Sequence, residues 1–514
     1  MGKYLIPSKL IILFIFSFVL AYCISKINFE FKSHLNPIIL FIIPFFLAAL
    51  FWTIPEVNPD TTRYFQYAKY LEEYGLVQFI KGWGESFLVH TDSIFPPLTY
   101  GVIFKIFGEF RFNIQFLTSC MFAFTSVCTY YIGKQLFDEH IGFYAALILT
   151  TMPHLLCQVP LMLVDVFTIF FITLSVLLYI IAIKPSGSYY HVWIIFAALS
   201  ILLSVLSKGS AVLVFIGVFP TLALIFSYSK PKFKKTIILR STSTILLSIL
   251  FAVPILILNH EIILNQFLRT VPSRVTQVLM AEAWRNVVHP VSLFYQVGGI
   301  VIFLAIFSFF IFVYKREWKY TFLLAWTVIP FLALMNTRLR YLMIIYPAIA
   351  LMASITLNNI GNREIRKYFF ASILICSSVI SLFVYLPYLQ NNSDRNLVDA
   401  AEYTNRVYPN TNLAIFTIYD DSPHPRRERT LAPIFDYYSH NQIQWYDHEK
   451  FSSFQISPEI IVVISDRIYP DTTPQNLTVV LYRDYDLVRV YSSGNKGLWD
   501  PAITSVYVSS TGAD

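Results

Sequence analysis

Charge is scarce in this chain. Only 13% of its 514 residues are Asp, Glu, Lys or Arg, whereas 56% are hydrophobic and 17% aromatic. A soluble protein carries about twice that charged share, because water must wet its surface. Together with a mean hydropathy of +0.59, this excludes an ordinary soluble domain and implies a polytopic membrane protein. The formal net charge of +7 is no nucleic-acid footprint. The basic residues stand in short clusters between apolar runs, as the positive-inside rule expects of cytoplasmic loops.

Cysteine is sparse too. Cys23, Cys120, Cys128, Cys157 and Cys376 lie in or beside apolar runs and match no metal-ligand spacing. They read as small apolar members of a helix bundle. None follows Cys376, so the polar C-terminal region must fold without disulfides. Internal repeats and low-complexity tracts are missing. So are the paired Gly/Pro-broken helices of inverted-repeat transporters, which counts against a transporter. The first apolar run, LIILFIFSFVLAYCI, lacks a small-x-small cleavage site and reads as a retained helix.

What the chain does have is long apolar runs, at 8–25, 37–54, 112–132, 140–154, 162–183, 191–207, 210–228, 236–258, 291–313, 320–335, 341–357 and 368–387. A spanning helix needs roughly 20 such residues, so about twelve spans are expected. The basic clusters SKPKFKK (229–235), YKREWK (314–319) and NREIRK (362–367) fall on one side, with GKQLF (133–137) and the loop around Lys184. Taking that side as cytoplasmic puts the region 55–111, the loop 259–290 and everything after 390 outside. Lys3 and Lys9 then also lie outside, against the rule, unless the first helix is an addition to the core bundle.

From 391 to 514 the pattern changes. NLAIFTIYD, EIIVVISD, NLTVVLYRDYDLVRVY and SVYVSS read as short strands between turn residues. DRNLVDAAEYTNRV has helical spacing, with Leu397, Ala401 and Thr404/Asn405 on one side. The expectation is a transmembrane domain over 1–390, with an outer loop at 55–111, and a small extracytoplasmic α/β domain over 391–514. The glycosylation sequons at Asn391 and Asn476, both in that last region, agree with an outer location.

Ionisable residues at membrane depth are costly and usually functional. Four places carry them. IPEVNPDTTRYFQYAKYLEEYG holds Asp60, Arg63 and Tyr64. VPLMLVDVFTIFF holds Asp165, and LSVLSKGSAVLV holds Lys208. NTRLRYLMIIYPAIALMAS opens with Arg338, Arg340 and Tyr341. With the topology above, all four come to the outer boundary. There, cations can hold a lipid-anchored phosphate while a carboxylate deprotonates a hydroxyl. Plainer readings stand beside these. NPD-TTR is good N-capping sequence, Asp165 pairs naturally with Lys208 across adjacent helices, and Lys208 and Arg340 suit interface anchors. The arginines of the 259–290 loop, Arg269, Arg274 and Arg285, fit lipid head groups better than a ligand.

The ordered motifs resemble the GT-C superfamily of membrane glycosyltransferases. They are P-D-x-x-R-Y-x-x-x-A-x-x-L-x-x-x-G, then PPLTYG…FKIFG, LMLVD, LSKG and RYLMIIYPAIAL. Among its members the protein O-mannosyltransferases and lipid A aminoarabinose transferases are most similar, over roughly residues 37–390. The resemblance implies a hexosyl- or pentosyltransferase. It would move a sugar from a polyprenyl (dolichyl) phosphate carrier to an acceptor hydroxyl on a glycan, protein or lipid at the outer face. It implies catalytic roles for Asp60 and Asp165, and donor-phosphate binding by Lys208, Arg340, Tyr341 and Arg63. Two positions depart from the family pattern: Thr61 stands where Glu is common, and Phe95 where Lys or His commonly precedes Pro-Pro. His90 and Asp92 are nearby alternatives. No cofactor is expected, with a divalent metal left open, and no nucleic-acid partner; membrane lipid surrounds the protein. The alternatives are a polysaccharide or lipid-linked-sugar flippase, and an oligosaccharide transferase of the same superfamily.

Overall fold

A computed structural model of the chain describes residues 7–26, 35–52, 59–82, 93–184, 189–258, 293–334 except 295, 339–386, 395–418, 434–447, 458–466, 481–492 except 482, and 502–510. The expected features at Arg269, Arg274, Arg285, Arg338, His90, Asp92 and both sequons lie outside these residues. The chain divides into two compact units, one of Met1–Trp52 with Tyr74–Leu386, the other of Thr53–Glu73 with Pro387–Asp514.

The first unit is helical. Among the described residues, seven helices are long and apolar enough to cross a membrane, or eight if one bent pair is a single span; five further apolar helices are shorter. The segments that build the site are α1 (Phe95–Phe107), α2 (Arg111–Leu136), α3 (Glu139–Thr151), α4 (Pro153–Gln158), α5 (Val164–Ile183), α6 (Tyr190–Ser207) and α7 (Tyr346–Asn358). Inside lipid a backbone must satisfy its own polar groups, which favours helix. Hydroxyls in α5 obey the same rule: Thr168, Thr173 and Ser175 each donate to the carbonyl four residues earlier. At Gly133 and Gly142, α2 and α3 approach so closely that a methyl group on Gly142 would lie 2.3 Å from the Tyr130 carbonyl oxygen. Small residues permit such packing where no hydrophobic effect drives it.

The run at 140–154 reads as one helix but is two, bent by 53°. Met152 is extended (φ −59°, ψ 116°) because Pro153 excludes helical backbone from the residue before it. Asp138 starts α3 by accepting from the Ile141 N–H at 2.8 Å.

The second unit contains a five-stranded sheet in the order β2-β1-β3-β5-β4. The strands are β1 (Asn412–Ile418), β2 (Gln442–Asp447), β3 (Ile460–Asp466), β4 (Tyr485–Ser492) and β5 (Ala502–Ser509). β1 pairs in parallel with β2 and β3, whereas β5 is antiparallel to β3 and β4. Successive side chains of a strand point to opposite faces. Leu413, Ile415, Ile460 and Val462 therefore meet Leu397, Ala400 and Ala401 of the helix Arg395–Val407. Ala414, Phe416, Ile461 and Val463 form a second cluster with Leu481 and Tyr485. The short β2, QIQWYD, lies outside the stretches read as strands.

Candidate active site

In the helical unit, Asp165 lies in the first turn of α5, just after a tight turn at Met162, whose φ is +55°. Three side chains hold that turn through its carbonyls. Tyr100, from PPLTYG in α1, donates to Met162 O at 2.6 Å. Gln115 of α2 donates to Pro160 O at 3.0 Å, and Thr118 to Val159 O at 3.1 Å. Lys208 leaves the end of α6 in extended backbone, with its N–H closing on Ser204 O. Arg340 and Tyr341 belong to a 3₁₀ stretch, Leu339–Ile345, that leads into α7. Trp326 pins that stretch by donating to Ile344 O at 2.9 Å.

These three approaches meet. The Lys208 ammonium donates to Asp165 Oδ1, and Arg340 Nε lies 3.7 Å from Asp165 Oδ2. The Lys208 Nζ also sits 3.4 Å from the centre of the Tyr341 ring. Asp165 is only 3% exposed, so these are not screened surface pairs. Two cations thus converge on one buried carboxylate, and one cation is backed by an aromatic face.

A second polar group in the same unit is one that sequence reasoning missed. Tyr346 donates to Gln296 Oε1 at 2.8 Å and lies 3.0 Å from His154 Nδ1. Because the tyrosine proton goes to Gln296, the hydroxyl oxygen accepts and His154 Nδ1 carries the hydrogen. His154 is buried and within electrostatic range of Asp165 and Arg340. The available signal was a histidine directly after the helix-breaking Met152-Pro153 pair.

Asp60 and Arg63 belong to the second unit, on a helix we label αN (Pro59–Gly82). Asp60 occupies the first turn, not the capping position before it. Arg63 Nη2 donates to Asp60 Oδ1 at 3.1 Å, and both residues are buried. The Arg63 guanidinium also lies 5.8 Å from the Tyr64 ring centre. The Arg63 guanidinium thus lies against the carboxylate one helical turn before it. Among the described residues no group of three or more His, Cys, Asp or Glu is arranged to hold a metal.

Residues 92–258 match the sequence model of a family described as dolichyl-phosphate-mannose-protein mannosyltransferase. Comparison with curated proteins yields no match. Among solved structures, the fold is similar to that of ArnT from Cupriavidus metallidurans bound to undecaprenyl phosphate. The TM-score is 0.59 at 10% identity, covering 97% of this chain and 98% of that one. It is also similar to the archaeal oligosaccharyltransferase AglB from Archaeoglobus fulgidus, in complex with an inhibitory peptide and a dolichol-phosphate. There the TM-score is 0.58 at 12% identity, covering 84% and 69% of the two chains. The family match over residues 92–258 and the similarity of fold support the resemblance of this chain to the GT-C superfamily of membrane glycosyltransferases.

Proposed function

We propose that the protein transfers a sugar from a polyprenyl-phosphate carrier to an acceptor hydroxyl on a glycan, protein or lipid at the outer face of the membrane. The observation that carries this reading is the convergence of Lys208, Arg340 and the Tyr341 ring around Asp165. Cations fixed by a buried carboxylate are pre-organised for an anionic group and need little reorganisation when charge develops. That undecaprenyl phosphate and dolichol-phosphate are bound in the two similar structures supports a carrier of the same chemistry.

The reaction is a single inverting displacement. The acceptor oxygen bonds to the anomeric carbon as the bond from that carbon to the carrier phosphate oxygen breaks. Asp60 takes the hydroxyl proton, and Arg63 orients the Asp60 carboxylate. Lys208 and Arg340 stabilise the charge left on the phosphate. Asp165 acts through those two cations, holding them apart from each other and in fixed directions, rather than on the sugar itself.

Purified protein incubated with radiolabelled polyprenyl-phosphate sugars tests the reading. Label should leave the lipid phase for an acceptor glycan, protein or lipid. Retention of all label on the carrier, across hexosyl and pentosyl donors and the three acceptor classes, would overturn it.

A further inference from the structure

The helix αN, which carries Asp60, is not one rigid rod. Gly75 interrupts it with φ +78°, a backbone geometry that side chains with a Cβ resist. The division between the two units falls beside this glycine, so residues 59–73 are part of the unit that holds the α/β sheet. Their partners within that unit are specific. Gln66 Nε2 donates to Asp436 Oδ2 at 2.8 Å. The Phe65 ring lies 5.4 Å from the Tyr437 ring, and Lys69 Nζ sits 4.5 Å from the centre of the same ring.

Asp436 and Tyr437 are themselves anchored. They stand in a short helix over 434–438, whose Ile434 and Phe435 are fully buried in the core with Leu413, Ile415 and Ile460. Asn405 of the helix Arg395–Val407 closes the end of that short helix by donating to Tyr438 O at 2.8 Å. A continuous chain of packing therefore runs from the sheet core, through residues 434–438, to the turns of αN directly after Asp60. The pre-organisation of a carboxylate on a helix depends on what fixes that helix.

We propose that Asp436 and Tyr437 are positioning residues for Asp60, so that the α/β domain sets where the proton acceptor stands. This rests on the reading of Asp60 as the base, and the experiment separates the two. In Q66E the new carboxylate meets Asp436 with like charge. In Q66E/D436N the hydrogen bond returns with donor and acceptor exchanged. Turnover is measured as kcat per donor-binding site, with KM for the polyprenyl-phosphate sugar, and D60N is assayed alongside.

Q66E should lose about 10- to 100-fold in kcat with donor KM unchanged, since a displacement near 1 Å costs about 100-fold. The double variant should return to within about threefold of wild type. A contact with only a structural role would lower the yield of folded protein but leave kcat per donor-binding site unmoved. Wild-type kcat in Q66E with an inactive D60N overturns this inference alone. So does an equal loss in Q66E and the double variant. An active D60N overturns both readings. If Q66E does not accumulate, Y437L against Y437F reads the same link. Only Y437L should lose kcat, and equal values for the two would overturn the inference.

Discussion

The Lys208 ammonium lies 3.4 Å from the centre of the Tyr341 ring while it donates to Asp165. A lysine left to snorkel would trail toward the head groups. This one is held between an aromatic face and a buried carboxylate that Arg340 also approaches. Its direction is set before any ligand arrives, and that makes the cluster testable residue by residue.

Lys208→Ala should weaken binding of a polyprenyl phosphate by roughly 10- to 150-fold, the equivalent of about 1.5–3 kcal/mol for a charge-assisted contact. Titration of the carrier against folded variant measures it. Unchanged affinity would reduce Lys208 to a structural partner of Asp165.

Removing the carboxylate acts differently. Asp165→Asn leaves Lys208 and Arg340 facing each other without the charge they share, and breaking a buried pair costs about 3–5 kcal/mol. Thermal unfolding in detergent should show a large fall in Tm, and Lys208→Met in the same chain should recover part of it. A Tm equal to wild type in the single variant would show that the pairing carries no stability.

For Asp60 the expected loss is catalytic. Asp60→Asn keeps size and shape but cannot take a proton, so kcat per folded protein should fall by about 10²–10⁴; Tm should fall as well, because the buried Arg63 loses its counter-charge. Turnover near the wild-type value would return Asp60 to a purely structural place at the start of its helix.

The crossing of α2 and α3 gives a prediction independent of chemistry. Gly142→Ala directs a methyl group to within 2.3 Å of the Tyr130 carbonyl oxygen, which is backbone and cannot swing aside. The helices must separate, at a cost of about 1–3 kcal/mol. A matched Gly209→Ala, where nothing lies within 4 Å, should unfold close to the wild-type temperature. Equal Tm values for the two variants would contradict the close approach.

Much of this molecule is legible along the chain. The apolar runs at 112–132 and 162–183 are the helices Arg111–Leu136 and Val164–Ile183, because a helix closes its hydrogen bonds locally and a lipid-facing or core-facing segment needs only apolar side chains. Asp165, Lys208, Arg340 and Tyr341 were conspicuous as polar residues at the ends of such runs. β1, β3, β4 and β5 fall in the stretches read as strands, whereas β2 does not.

What tertiary structure alone decided is partnership. The pair of Asp165 with Lys208 was among the plainer readings of the sequence and is present, but nothing near Asp165 says that Arg340 also approaches its carboxylate, or that Tyr100 holds the turn before it from 62 residues away. Nor does the run of residues after Asp60 announce that Gln66 meets Asp436 across 370 residues, or that residues 59–73 belong with the α/β sheet. Helices form from bonds a few residues apart, so periodicity records them. Ion pairs and domain contacts depend on which surfaces pack together, and that is fixed only when the whole chain has folded.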